Sequence, residues 1–142
     1  MRIAIVNNEE EIARLAADRV CEVYRDKPNF VLGLATGSSP IPLYDELVRR
    51  YEAGEISFAQ VQSFNLDEYV GLPEDHFEGY ANFIRRHLVG RVDMAEGAAH
   101  GPDGWCEDLD EGARLYDQAI KDAGGIDIQV LGIGSDGHIG FN

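Results

Sequence analysis

The stretch Ile126–Asn142, which reads IDIQVLGIGSDGHIGFN, is the part of the sequence that decides the fold. Its first half, Ile126–Ile133, is apolar and rich in β-branched residues, which is typical of a buried strand in a parallel sheet. Ser135–His138 then places a carboxylate and an imidazole two residues apart on a glycine-flanked loop. Ligands of open α/β sheets bind beyond the carboxyl ends of the strands, so we predict a functional loop here. The alternative is an ordinary Asp-Gly turn beside a surface histidine.

Composition sets limits on the class of protein. The 142 residues are 44% hydrophobic, which is enough for one domain over residues 1–142 with a sizeable core. Acidic residues number 26 against 12 basic ones, and the formal net charge of −14 disfavours nucleic acids and anionic membranes as partners. The sequence shows no secretory signal and no apolar run of the roughly 20 residues that a membrane span needs, so a soluble cytoplasmic protein is expected.

Three further apolar runs predict strands at Arg2–Val6, Phe30–Leu34 and Val61–Asn65. Helical spacing follows each strand. The predicted helices begin after Asn7 or Asn8, at Pro40 with Ser39 as N-cap, near Tyr80, and at Asp108 with a buried side that includes Leu109, Leu115 or Tyr116, and Ile120. The alternation predicts an α/β fold of the Rossmann-like type, a doubly wound and mostly parallel sheet with helices on both faces. The segment between residues 89 and 107 is predicted to be a connection, with Trp105 packed against the edge of the sheet.

Two more polar clusters follow predicted strands. Thr36, Gly37, Ser38 and Ser39 lie between a strand and a helix start, where amide N–H groups and hydroxyls favour an anion pocket; a simple capped turn is the alternative. Asp67 and Glu68 follow the third strand, and one of them can face a pocket as a general base, unless the loop is merely a solvated acidic one. In a parallel sheet all three clusters lie on one edge, so we predict a single site.

Three motifs resemble those of a known family. LGLATGSSP, SFNLDEYVGL and LGIGSDGHIGFN are similar to the N-terminal signatures of the glucosamine-6-phosphate deaminases, and the similarity runs in order from Met1 to Asn142. The related 6-phosphogluconolactonases have a comparable Asp-Gly-His loop, but typically follow it with a different run and have Asp-Glu-Arg where this chain has Asp67-Glu68-Tyr69. A 6-phosphogluconolactonase-like hydrolase is therefore the alternative enzyme.

The resemblance implies a role for each matching residue. Asp67 would move a proton between C2 and C1 of the open-chain sugar, while His138 and Asp136 would open the pyranose ring. Thr36–Ser39 would hold the phosphate, with Ser38 standing where the family often has a second glycine, and Glu68 and Gly137 would have supporting roles. The implied reaction converts glucosamine 6-phosphate and water into fructose 6-phosphate and ammonia in amino-sugar catabolism, with no metal and no organic cofactor.

Length is the main departure from the family. Its members are much longer, so the resemblance implies that a glutamate completing the ring-opening group, the basic phosphate ligands and the rest of the sheet lie after Asn142. The domain is thus expected to be truncated at the C-terminus. A catalytically incomplete fragment or a sugar-phosphate-binding module, which would need a partner or a homo-oligomer to cover its open sheet face, is the second alternative.

Overall fold

The sheet is the frame on which the chain is built. The computed structural model describes residues 2–140, and in this range four parallel strands lie side by side in the order β3-β2-β1-β4. The elements in chain order are α1 (Glu9–Asp26), β1 (Val31–Leu34), α2 (Ile41–Glu52), β2 (Gln62–Asn65), α3 (Tyr80–His87), a 3-10 turn (Val89–Arg91), β3 (Ala99–His100), α4 (Leu109–Asp122) and β4 (Ile128–Gln129). The predicted α/β class with a parallel sheet is confirmed.

Both faces of the sheet carry helices. Leu32 and Leu34 of β1 point into a core cluster that also contains buried residues of α1, α2 and α3. Because side chains alternate along a strand, and Gly33 is paired with Phe64, Phe64 lies on the opposite face. There its ring packs against Tyr116 of α4 with a centroid distance of 5.8 Å. One face therefore holds the main core, and the other holds α4.

Three of the four predicted helix starts agree with the structure, including that of α3 at Tyr80, and the predicted cap of α2 does not. The side chain of Asn8 accepts a hydrogen bond from the amide of Glu11, and the side chain of Asp108 accepts one from the amide of Glu111, so α1 and α4 both have a side-chain N-cap. Both helices also have acidic residues in the first turn, where the helix dipole favours negative charge. The prediction of Ser39 as the N-cap of α2 is wrong. Pro40 occupies that position and α2 has no side-chain cap.

The first strand was predicted wrongly. Residues 2–6 form no strand, and Ile3 and Ile5 are 73% and 94% exposed. A strand exists only where a neighbour completes its ladder of hydrogen bonds, and no described strand pairs with this segment. The fourth strand of the sheet comes instead from β3, inside the segment predicted as a connection, where His100 stacks on Phe64 at 4.7 Å.

Three predictions about burial near the C-terminal end also need correction. Only Ile128 and Gln129 of the predicted strand are paired, while Leu131 and Ile133 are 52% and 70% exposed; Phe141 and Asn142 lie outside the described residues. The helix α4 contains no fully buried residue, so its predicted buried side is wrong for Leu109. Of the alternatives Leu115 and Tyr116, Tyr116 packs against the sheet and Leu115 is exposed. The indole of Trp105 is 61% exposed and is not packed away against the sheet. Hydrophobic spacing predicted the helix and the strand here, but not which of their side chains are buried.

None of the helices in the part of the chain that the structure describes is long and apolar enough to cross a bilayer.

Candidate functional site

The three predicted clusters meet at one cavity. A cleft of about 380 Å³ at the carboxyl edge of the sheet is lined by the loop after β1, the loop after β2 and the loop after β4. Thr36–Ser39 form one wall, Asp67 lies on the second, and Ser135 and His138 belong to the third. Adjacent parallel strands end on the same side, which brings loops about 100 residues apart in sequence, such as those of Thr36 and His138, to the same cavity.

The loop from Thr36 to Ser39 is held at its start by a buried tyrosine. The hydroxyl of Tyr44 donates to the carbonyl of Ala35 at 2.6 Å and accepts from the amide of the same residue at 3.1 Å. Gly37 has a φ of 103°, a conformation that only glycine adopts without strain, and its turn leaves Ser38 and Ser39 exposed to the cleft.

The donors of this loop are its own amides and hydroxyls. Pro40 and Pro42 have no N–H group, and the amide of Ile41 already donates to the carbonyl of Ser38 at 3.3 Å. The start of α2 therefore offers fewer amides than an ordinary helix end. An anion in the cleft would be bound chiefly by the backbone N–H groups and side chains of residues 36–39.

Asp67 is the carboxylate of the cavity. It is half-buried two residues after the end of β2, and burial, followed by the nearby charge of Glu68, raises the pKa of its carboxyl group. A carboxylate with a raised pKa is a stronger base than an exposed one and can abstract a proton from a carbon atom held beside it. This fits the predicted role of Asp67, which stays a prediction.

The carboxylate of Glu68 binds backbone amides instead of lining the cavity. Its carboxylate accepts hydrogen bonds from the amides of Tyr80 and Ala81, both at 2.8 Å, and from the amide of Tyr69 at 2.9 Å. Two of these amides belong to the first turn of α3, where a negative charge is favourable. Glu68 therefore fixes α3 to the loop that carries Asp67, while its supporting role at the site stays a prediction.

His138 of the third wall is paired with Asp136, which does not itself line the cavity. Nδ1 of His138 lies 2.5 Å from Oδ1 of Asp136, and the same oxygen accepts from the amide of His138 at 3.3 Å. These contacts lower the pKa of the Asp136 carboxyl group. Between them Gly137, with a φ of 89°, closes a turn in which its amide donates to the carbonyl of Gly134 at 2.9 Å. The imidazole is thereby oriented with Nδ1 on the carboxylate.

Sequence reasoning assigned no role to one residue that borders the site. The sequence predicts Phe77–Tyr80 as a loop over the site, without a function for Tyr80 itself. In the structure Tyr80 is the first residue of α3 and lines a second cleft of about 450 Å³ that also touches Thr36, Gly37 and His138.

The arrangement joins an anion-binding loop, a carboxylate base and an oriented imidazole around one space. Among residues 2–140 no group of three or more His, Cys, Asp and Glu side chains is placed to hold a metal ion. The side chains that are present can bind an anionic group at one end of a small molecule and transfer protons at the other.

Comparison with known proteins agrees with this chemistry. The model of the family "Glucosamine-6-phosphate isomerases/6-phosphogluconolactonase" matches residues 7–140. The chain is 55% identical to a glucosamine-6-phosphate deaminase of Mycolicibacterium smegmatis and 54% identical to one of Beutenbergia cavernae, over all 142 residues in both cases. These matches cover 54% of each relative, so the chain spans about half the length of the curated relatives it matches.

Two solved structures are similar to this chain over almost its whole length. A monomeric glucosamine-6-phosphate deaminase superposes with a TM-score of 0.94 at 35% identity, covering 99% of this chain and 58% of that one. A 6-phosphogluconolactonase from Thermotoga maritima superposes with a TM-score of 0.79 at 21% identity, covering 97% of this chain and 61% of that one. The second likeness shows a shared fold only.

Proposed function

Because this chain belongs to the family of glucosamine-6-phosphate isomerases and 6-phosphogluconolactonases, we propose that its protein converts glucosamine 6-phosphate and water into fructose 6-phosphate and ammonia. The observation that carries the proposal is the common cavity of the Thr36–Ser39 loop, Asp67 and His138. An anion site, a base and a second proton-transfer group are the three parts that such a reaction requires.

His138 performs the first step. The substrate enters as a closed pyranose, and its ring opens when the ring oxygen gains a proton while the hydroxyl on C1 loses one. An imidazole can give and take a proton at a ring oxygen, and Asp136, 2.5 Å from Nδ1, orients the imidazole of His138. The product of this step is an open-chain amino-aldose.

Asp67 performs the second step. Its carboxylate takes the proton from C2, and the electrons of that C–H bond form a C1=C2 double bond while the C1=O π bond breaks and O1 takes up a proton from the solvent. Return of the carboxyl proton to C1 then gives a protonated imine at C2. Water then adds to C2 and ammonia leaves, which yields the ketose. The raised pKa of Asp67 matches this task, because the carboxyl group must both accept a proton and give it back within one turnover.

The loop at Thr36–Ser39 binds the phosphate in this scheme. The chain carries a net charge of −14, so an anionic sugar is repelled at long range and has to be held by local donors. Backbone amides and hydroxyls of a tight loop supply them without adding a carboxylate to the phosphate end. We infer that this reaction serves the cytoplasmic catabolism of amino sugars such as N-acetylglucosamine.

The substitution Asp67→Asn tests the assignment. In the protein at its natural length it should lower the rate of deuterium exchange at C2, followed by NMR in heavy water, by about 10²- to 10⁴-fold, because the amide cannot accept the proton. Affinity for inorganic phosphate, measured by calorimetry, should stay within about twofold. Asp75→Asn is the matched control, since it removes the same charge from an exposed loop position.

Two outcomes would contradict the proposal. Exchange at an unchanged rate in Asp67→Asn would remove Asp67 from the role of base. Hydrolysis of 6-phosphogluconolactone without release of ammonia from glucosamine 6-phosphate would favour the related lactonase activity. Assaying residues 1–142 alone beside the natural-length protein separates a self-sufficient catalyst from an incomplete half.

A further inference from the structure

The imidazole of His138 lies against the backbone of Gly134. A Cβ atom on residue 134 would overlap Cε1 and Nδ1 of that ring, and it would lie 2.9 Å from Oδ1 of Asp136. Ordinary van der Waals contact begins near 3.4 Å, so no side chain fits at residue 134 while the pair keeps its place. The space that such a side chain would need is filled by the two groups that the proposed ring opening uses.

The requirement for glycine at residue 134 comes from this contact and not from the backbone conformation. Gly137 has a φ of 89°, which disfavours other residues whatever space surrounds it. The φ of Gly134 is outside that left-handed range, so its backbone would accept an alanine. The atoms that a new methyl group would meet belong to one imidazole and one carboxylate, and the strain of the substitution therefore falls on His138 and Asp136.

Hydrogen bonds hold the backbone of Gly134 in this turn. Its amide donates to the carbonyl of His138 at 2.9 Å, and its carbonyl accepts from the amide of Gly137 at 2.9 Å. The carboxylate of Asp136 adds two contacts, because it accepts from the amide of His138 at 3.3 Å and lies 2.5 Å from Nδ1. The imidazole is thus bounded by a carboxylate and by a backbone segment that are both tied into the same turn.

We propose that Gly134 is a positioning residue for ring opening, because the absence of a side chain there lets the imidazole of His138 reach the cavity while it stays paired with Asp136. The inference rests on the proposed function and deepens it. Gly134 and His138 both line the cavity that contains the Thr36–Ser39 loop and Asp67. A methyl group on residue 134 would move the imidazole by about 1 Å or into another rotamer, and either change would break its contact with Asp136 or take it out of the cavity.

The substitution Gly134→Ala adds that methyl group. In the natural-length protein we expect kcat for ammonia release to fall by about 100-fold, because a misplacement of about 1 Å at a catalytic group has an effect of that size. Affinity for inorganic phosphate, measured by calorimetry, should stay within about twofold, because the atoms nearest to the added methyl group belong to His138 and Asp136 and not to the Thr36–Ser39 loop. A loss of phosphate affinity as large as the loss of kcat would show that the whole cleft is disturbed and would refute a role in positioning.

Gly101→Ala is the matched control. It adds the same methyl group outside the three loops of the cavity, where Cβ comes no closer than 3.4 Å, to Nδ2 of Asn65. A kcat for Gly134→Ala within about threefold of that for Gly101→Ala would overturn the proposal, since the imidazole would then tolerate a side chain at residue 134.

The background His138→Ala separates positioning from damage to the turn. Without the imidazole, the added methyl group has no ring to overlap. If Gly134 acts through His138, Gly134→Ala should lower the residual rate of the His138→Ala variant by less than about threefold, against about 100-fold in the wild-type background. An equal loss in both backgrounds would show that the substitution acts independently of the imidazole, which contradicts the proposal.

An NMR measurement tests the same contact without catalysis. The Cε1–H cross-peak of His138 is identified by its absence from His138→Ala. We expect it to move in Gly134→Ala and to stay in place in Gly101→Ala, because Cε1 is one of the two ring atoms that the methyl group would overlap. An unmoved cross-peak in Gly134→Ala refutes the proposal. If the natural-length protein releases no ammonia from glucosamine 6-phosphate while this peak moves, the proposed function fails on its own and Gly134 is still the residue that positions His138.

Discussion

Replacing Gly104 by alanine should lower the catalytic rate, although Gly104 does not line the cavity. Gly104 is buried in the connection before α4, and a Cβ atom there would lie 2.2 Å from the carbonyl oxygen of Tyr69 and 3.2 Å from its carbonyl carbon. The two backbones are also joined by a 2.9 Å hydrogen bond from the amide of Gly71 to the carbonyl of Gly104. Backbone atoms cannot rotate away as a side chain does, so the loop itself has to move.

The size of the effect follows from these distances. Ordinary contact begins near 3.4 Å, so the Tyr69 carbonyl and residue 104 must separate by about 1.2 Å. Overpacking of this kind costs about 1–3 kcal/mol in the free energy of unfolding. Asp67 is two residues before Tyr69, and a misplacement of about 1 Å at a catalytic group lowers the rate by about 100-fold. We therefore expect kcat for ammonia release to fall by about two orders of magnitude in a protein that still folds.

The assay compares ammonia release and urea denaturation for Gly104→Ala and Gly101→Ala at natural length. Gly101 is the matched control in the same connection, because a Cβ there would come no closer than 3.4 Å, to Nδ2 of Asn65. A kcat for Gly104→Ala within threefold of that for Gly101→Ala would refute the reasoning. It would mean that the loop bearing Asp67 yields without displacing the carboxylate.

Two further predictions concern pH. Glu68→Gln removes the second cause of the raised Asp67 pKa, so the acid limb of kcat/KM should move to lower pH, and a limb that stays in place or moves upward would show that Glu68 does not act on Asp67. Asp127 accepts from Nζ of Lys27 and the amide of Val31, both at 2.8 Å, and these partners lower its pKa. A carboxyl group whose pKa is lower in the folded than in the unfolded protein stabilises the fold at every pH above its unfolded-state pKa. That stabilisation is lost as the pH falls through the folded-state pKa. Asp127→Asn should therefore destabilise more at pH 7 than at pH 3 in urea denaturation, whereas an equal loss at both would assign the effect to the neutral hydrogen bond.

The convergence of the three loops could be predicted from sequence more fully than the sheet. Asp67 and His138 were expected to meet because polar residues that directly follow parallel strands lie on the same edge of the sheet. Strand pairing depends on neighbours instead. Arg2–Val6 has a strand composition and no described partner, while Ala99–His100 has little strand character and pairs with β2.

Side-chain reach explains the remaining differences. No periodicity shows that the carboxylate of Glu68 accepts hydrogen bonds from the amides of Tyr80 and Ala81. Such contacts arise from the angle at which α3 leaves the loop. The start of α2 was misjudged for a related reason, since Ser39 has the right chemistry for an N-cap but Pro40 takes that position.

The β4 border of the sheet has a practical consequence for anyone who produces residues 1–142 by themselves. Leu131 and Ile133 follow β4 and are exposed to solvent. β4 is the last strand of the sheet, and no described strand pairs with its outer side. An uncovered apolar margin of this type recruits strands from other molecules and promotes aggregation as concentration rises. A lysine at an outward-facing position protects such an edge from pairing with another chain. Substitution of Leu131 or Ile133 by lysine is therefore the first change to try for keeping residues 1–142 in solution.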